Sequence, residues 1–253
     1  NSTPVQMNGV SDIKDVELSQ YCVAVLKNDS TVWTWGKNTN GILGIGTALD
    51  SENPTIIPGV EDVDKIACGK SHMALIKADG TLWTWGYNKY GQLGNEAVNY
   101  ITEPVIIKGI SDIDTITGGG KHVLAFGKDK TLWAWGNNDS LQLIEDVAPS
   151  EESGTKDYGS PFSINYEKGI KYLSAAFNRT VVIYEDDEVW IYAAKSTVSG
   201  NEQSIYRPAK IEGLEGAEQV SVGKNHILAL KGDGYAYSAG NSYWGQLGDG
   251  TQT

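Results

Sequence analysis

The sequence predicts an all-β fold, a β-propeller of four-stranded blades with about five repeats. Three observations carry this. The block Thr31-Val-Trp-Thr-Trp-Gly36 returns as Thr81-Leu-Trp-Thr-Trp-Gly86 and Thr131-Leu-Trp-Ala-Trp-Gly136, so 86 − 36 = 50 and 136 − 86 = 50 residues separate the copies. Eroded copies follow at Glu188-Val-Trp-Ile-Tyr-Ala193 and Tyr235-Ala-Tyr-Ser-Ala-Gly240. Each repeat also holds about four short runs rich in Val, Ile, Trp and Thr, bounded by Gly, Asn and Asp. No segment sustains a 3.6-residue apolar period, so helix content is expected to be low. A lone four-stranded sheet cannot cover both of its faces; stacking it against its neighbours does.

In the second repeat the strands are expected at Asp64–Ala67, His72–Ile76 and Thr81–Trp85, with Thr55–Ile57 or its downstream equivalent as the fourth. Asp79-Gly80 and Asp233-Gly234 read as hairpin turns, because glycine accepts positive φ. Trp33 and Trp35 stand two apart, which places both on one face of their strand. Counted from the recurring prolines, the repeats run 4–53, 54–103, 104–160, 161–207 and 208–253, in a single domain of residues 1–253. Joined tail to head, the ends would complete one repeat. The expectation is that the N-terminal strand finishes the last blade and removes the open edge; the alternative is a window cut from a longer array.

Three further blocks repeat in phase. Gly69-Lys-Ser-His72 matches Gly119-Gly-Lys-His122 and Gly223-Lys-Asn-His226, and Asp79-Gly80 precedes the tryptophan strand. Gly91-Gln-Leu-Gly94 matches Gly41-Ile-Leu-Gly44 and Gly245-Gln-Leu-Gly248. Together these blocks resemble the regulator of chromosome condensation repeat family over nearly the whole chain. The resemblance implies a β-propeller, usually of seven blades. The chain departs from the pattern in having five repeats, in carrying Ser19 and Cys22 where Gly and His belong, and in a fourth repeat with Ala176 and Arg179 at those places.

A residue that recurs at the same place in several blades is there for the blade. His72, His122 and His226 are all of the histidines, and each is expected to hydrogen-bond nearby backbone rather than hold a metal. Cys22 reads as buried filling, and a Cys22–Cys68 disulfide is an open alternative. The paired tryptophans read as packing between blades. Asp62/Asp64 and Asp112/Asp114 lack the spacing of a calcium loop. No catalytic residue, metal or cofactor is therefore assigned.

The positions that vary between repeats are the candidates for function. They follow the tryptophan strand (Lys37–Asn40, Tyr87–Tyr90, Asn137–Ser140, Asn241–Trp244) or precede the histidine strand (Gln20-Tyr21, Lys70-Ser71, Gly120-Lys121, Phe177-Asn178, Lys224-Asn225). Aromatic side chains on such loops are typical of protein-binding patches. The candidate partner-binding residues are Tyr21, Tyr87, Tyr90, Phe177, Arg179, Tyr243 and Trp244. Whether the two loop sets share a face is open at this level. An acidic insertion, residues 145–159, is a further anomaly without an assigned role.

Composition narrows the partner. Twenty Lys and Arg against 32 Asp and Glu give a formal charge of −12, a poor match for nucleic acid or an anionic membrane. A protein partner with a basic or neutral patch is expected, and no membrane insertion, since no apolar run reaches the span length of roughly 18 residues. The leading expectation is a non-catalytic protein-interaction module. The alternatives are a proteinaceous enzyme inhibitor, similar to β-lactamase-blocking propellers of this family, nucleotide exchange on a small GTPase, and a propeller glycosidase. Only two arginines are present, Arg179 and Arg207, where a sialidase needs three. Few cysteines, low Arg content and a first residue that is not Met suggest part of a larger bacterial protein, extracellular or at the cell surface.

Overall fold

The computed structural model describes residues 3–96, 99–144, 157–165, 168–197 and 204–252. Among the described residues, nineteen strands build five antiparallel sheets, and the one helical turn is a 3-10 segment at Thr39–Gly41. The first sheet takes β1 (Ile13–Leu18), β2 (Cys22–Lys27), β3 (Val32–Gly36) and β4 (Ser51–Ile56) in sequence order. The second takes β5 (Val63–Cys68), β6 (His72–Lys77), β7 (Leu82–Tyr87) and β8 (Tyr100–Ile106). The third takes β9 (Ile113–Gly118), β10 (His122–Gly127), β11 (Thr131–Asn137) and β12 (Asp157–Asn165), and the fourth β13 (Ile170–Ala176), β14 (Arg179–Tyr184), β15 (Val189–Thr197) and β16 (Ser204–Lys210). The fifth has three strands, β17 (Ala217–Val222), β18 (His226–Lys231) and β19 (Ala236–Gly240). The proline-bearing segment is thus the outermost strand of the preceding blade.

The blades form an arc because each apolar core lies between two of them. Ala24 and Leu26 of the first blade meet Ile66, Met73, Leu75 and Trp85 of the second. The same arrangement joins the second blade to the third, the third to the fourth and the fourth to the fifth. The first strands of successive blades touch one another, which places them nearest the common axis. Lysines tie this inner layer: Lys14 Nζ reaches Asp64 at 2.9 Å and Lys65 reaches Asp114 at 3.5 Å. All four are substantially exposed, so each pair contributes little, about 0–1 kcal/mol.

The two tryptophans of each block share a face, as their spacing requires, but not an environment. Trp85 and Trp135 are completely buried and bond to the previous blade, Trp85 Nε1 donating to Ile42 O at 2.8 Å and Trp135 Nε1 to Gln92 O at 2.9 Å. Trp33 and Trp83 are partly buried and donate to Thr31 and Thr81 hydroxyls of their own strand entries. The block glycines serve close approach: Gly86 has φ +99°, and a Cβ there would lie 2.7 Å from Ser71 O.

Two expectations need correction. Ring closure through the N-terminal strand is not formed. Residues 3–12 contain no strand, and β17–β18–β19 has no fourth member. Such pairing needs the first and last blades to be neighbours, yet both end faces stay open, with Val16 52% and Leu18 68% exposed on one and Leu228 49% exposed on the other. His122 differs from the expectation of backbone bonding: its Nε2 meets the Thr180 hydroxyl of the next blade at 3.0 Å. The His72 ring lies against the His122 backbone, with neither nitrogen in full hydrogen-bonding geometry. Ring packing explains the motif better: a Cβ at Gly69 or Gly119 would fall 2.0 Å from the Cε1 of His72 or His122. The first blade, lacking the His, tolerates Ser19, whose hydroxyl contacts Cys22 Sγ at 3.1 Å. Cys22 and Cys68 are both free and buried.

Candidate protein-binding face

Strand direction settles where the variable loops lie. In an antiparallel blade, the turn between the first and second strands and the loop after the third strand leave from the same end of the sheet. The backbone joins them: Lys37 N–H donates to Tyr21 O, Tyr87 N–H to Ser71 O, Asn137 N–H to Lys121 O and Asn241 N–H to Asn225 O, at 2.8–3.1 Å. Both loop sets therefore occupy one face of the arc, here called the loop face.

These loops are held stiffly. Buried Asn38 and Asn88 each accept the N–H of the leucine five residues on through Oδ1, at 2.8 Å, and Asn138 does the same for Leu143 at 3.1 Å. Thr34 and Thr84 donate to the carbonyls of Leu43 and Leu93. The glutamine of the Gly-Gln-Leu block braces the loop tip, Gln92 Oε1 accepting from Tyr90 N–H and Gln246 Oε1 from Trp244 N–H. The asparagines, grouped by sequence with the variable residues, are architecture; their recurrence one or two places after the block glycine was the available signal.

All seven residues singled out by sequence lie on this face or at its edge, distributed along the arc rather than in one patch. Tyr21 on the first blade is 63% exposed, with Lys37 Nζ 5.4 Å from its ring centre. Tyr87 and Tyr90 on the second are partly buried and meet edge to face at 6.2 Å. Lys121 Nζ of the third blade lies 3.9 Å over the Tyr90 ring, joining those two blades. Phe177 of the fourth is exposed, and its carbonyl accepts Gly120 N–H at 2.5 Å. Arg179 opens β14 beneath it, paired in register with Ala176, and is partly buried. On the fifth, Tyr243 and Trp244 stack edge to face at 4.7 Å, and Trp244 is 80% exposed. The acidic insertion lies outside the described residues except for 157–159.

Titration behaviour separates structural groups from surface ones. Burial pushes His72 down to about 4 and His122 down to about 3, so both are neutral at physiological pH. Burial, reinforced by Asp15, raises Glu17 to about 7. Burial also pushes both cysteine thiols up, which leaves them poor nucleophiles. Among the described residues there is no group of three or more metal-ligating side chains, and no helix is long and apolar enough to cross a membrane. An open groove beside β8 contains one carboxylate in its lining, Glu96, which accepts the Ser160 hydroxyl at 2.7 Å.

Four-stranded blades stacked face to face, with inter-strand loops collected at one end, define a repeat protein of the β-propeller class. Residues 29–76 and 79–126 each match the family model of the regulator of chromosome condensation repeat, and a second model of that repeat matches residues 63–92. Residues 29–126 thus carry the regulator of chromosome condensation repeat, and the rest of the chain continues the same blade architecture. Prp20p of Saccharomyces cerevisiae superposes with a TM-score of 0.78 at 19% identity, over 94% of this chain and 60% of that one. Human WBSCR16 superposes with a TM-score of 0.75 at 20% identity, over 94% and 64%. The ectodomain of the Physcomitrella patens receptor kinase CR4 is more distant, with a TM-score of 0.55 at 13% identity over 95% and 54%. The chain thus spans under two thirds of each of these proteins. No functionally curated protein matches the sequence.

Proposed function

We propose that the chain is a non-catalytic protein-interaction module and that a protein partner docks on the loop face. The carrying observation is that exposed aromatic side chains stand on braced loops at one end of the arc. A rigid aromatic anchor loses little conformational entropy on binding and supplies contact area. Two further points support the reading. The histidines, the usual acid–base groups, are absorbed by the blades, His72 and His122 being sealed from solvent. Prp20p, which shares the fold, is described by its binding to Gsp1p and histones, so the fold is compatible with protein docking.

The test is substitution at the exposed anchors in a chain whose partner is in hand. Tyr21→Ala, Phe177→Ala and Trp244→Ala each touch no buried core and are expected to weaken the complex about tenfold or more, with the melting transition unmoved. Unchanged affinity in all three would move the interface elsewhere.

A further inference from the structure

The fifth blade is unfinished at its outer edge. In the other four blades the third strand pairs with a fourth that carries a proline, Pro54 in β4, Pro104 in β8, Pro161 in β12 and Pro208 in β16. Among the described residues β19 has no such partner, so its outer edge presents backbone N–H and C=O groups that a strand could pair with. The apolar positions beside that edge are bare as well. Leu228 is 49% exposed and Leu230 39%, whereas Ala24 and Leu26 at the same places in the first blade, and Ala74 and Ile76 in the second, are buried.

A strand of the matching kind stands unused before the first blade. Pro4-Val5-Gln6-Met7 corresponds to Pro54-Thr-Ile-Ile57 and Pro104-Val-Ile-Ile107, and Pro4 precedes Ile13 of β1 by 13 − 4 = 9 residues, as Pro54 precedes Val63 of β5 and Pro104 precedes Ile113 of β9. The connection that follows is already built as in the other blades. Asp12, Asp62 and Asp112 have φ of +57°, +57° and +56°, and their carbonyls accept Asn28, Ala78 and Lys128 N–H at 2.8–2.9 Å. Yet residues 3–9 are all exposed and form no strand. Met7 is 44% exposed, whereas Ile57 and Ile107 at its place are sealed in the cores between blades. Those isoleucines also bond to the third strand's entry, Ile57 N–H donating to Val32 O at 2.9 Å and Ile107 N–H to Leu82 O at 2.8 Å. The corresponding bond here, from Met7 N–H to Ala236 O, is not formed.

We infer that the open edge of the fifth blade is a docking site for a second copy of this chain, whose residues 3–7 add to β19 as the missing fourth strand. In the register of the first blade, Thr34 pairs with Thr55 and Trp33 with Ile56; the same register pairs Ser238 with Val5 and Tyr237 with Gln6 of the incoming copy. Met7 then joins Leu228, Leu230 and Ala236 as Ile57 joins Ala24, Leu26 and Val32. The backbone ladder supplies affinity and the alternate apolar side chains supply selectivity. Proline is tolerated because the added strand is an edge strand. The arm does not reach the fifth blade of its own copy, so the exchange is between copies and runs head to tail. It occurs at the rim of the arc, where the fourth strands lie, and is independent of the loop face.

Sedimentation velocity of the full chain over a range of concentrations is the test, and the sedimenting mass is expected to rise with concentration. Met7→Asp disables the arm and Leu230→Asp disables the edge. Both side chains are exposed in the single copy, so each variant is expected to keep the parent's thermal melt. Each alone is expected to associate at least about tenfold more weakly than the parent, because the contact would bury an unpaired carboxylate. Mixed together they are expected to form a one-to-one complex, since the first keeps an intact edge and the second an intact arm. Leu49→Asp, at a 74% exposed apolar position outside both elements, is expected to associate like the parent. A parent that stays monomeric throughout, a mixture that forms no complex, or a Leu49→Asp variant as impaired as Met7→Asp would overturn the inference.

Discussion

Trp85 and Trp35 occupy the same place in successive repeats, and the fold makes them energetically different. Trp85 is fully buried against the first blade and donates to Ile42 O at 2.8 Å. Trp85→Ala removes that buried indole and leaves the Ile42 carbonyl without its partner. Truncating a buried Trp costs about 3–5 kcal/mol, and an orphaned buried polar group adds about 1–3 kcal/mol. Water entering the cavity offsets part of this, so the expected loss is about 4–6 kcal/mol. Trp35 faces the open end of the arc, is partly exposed, and its indole N–H has no hydrogen-bond partner among the described residues. Trp35→Ala should therefore cost about 1–2 kcal/mol, from the apolar area still covered. The assay is urea unfolding of both variants and the parent, followed by near-ultraviolet circular dichroism, comparing midpoints at constant slope. Equal midpoint shifts for the two substitutions would refute the assignment of Trp85 as a tie between blades.

Other consequences follow from the same geometry. His72 and His122 are neutral in the fold at about 4 and 3 but ionise near 6.5 when unfolded, so the unfolded chain binds more protons in that window and stability falls as pH drops from 6.5 toward 4, by about 1.4 kcal/mol per pH unit per histidine. Glu17 acts oppositely, since its value of about 7 lies above the ordinary 4.5: its ionisation destabilises the fold above pH 7, and acidification to 4.5 relieves this. Glu17→Gln should accordingly raise the urea midpoint at pH 8 and leave it nearly unchanged at pH 4; an unchanged midpoint at pH 8 would contradict the burial argument. Gly69→Ala should destabilise by more than about 2 kcal/mol because its Cβ meets the His72 ring, and adding His72→Cys, the pairing the first blade uses with Ser19, should recover part of the loss in a thermal melt. Thr180→Val removes the hydroxyl that meets His122 Nε2 and donates to Gln142 O, and should cost about 1–3 kcal/mol by the same melt.

The sequence carried the blade architecture because repetition states it five times. The Trp-x-Trp-Gly strand, the Gly-x-x-His turn and the Asp-Gly hairpin each recur in phase, so local pattern and global fold agree. What sequence obscured was spatial. Trp83 and Trp85 look equivalent as letters, and only the packing shows that Trp85 reaches across to the previous blade. Complementary ends suggest closure, yet complementarity of sequence phase says nothing about whether five blades turn far enough to meet. The aromatic candidates were legible as residues that vary inside a fixed frame. That both loop sets share one face is not legible in the chain, because only strand direction shows which turns leave from the same end.

The central claim is that the loop face is where a protein partner docks, and site-specific photo-crosslinking tests it most directly. A benzophenone side chain is placed at Tyr243 on the loop face or at Tyr235 in the turn at the opposite end, both well exposed at 63% and 70%. With a partner in hand, the account predicts a crosslinked complex from position 243 and none from position 235. A crosslink from position 235 alone would contradict it.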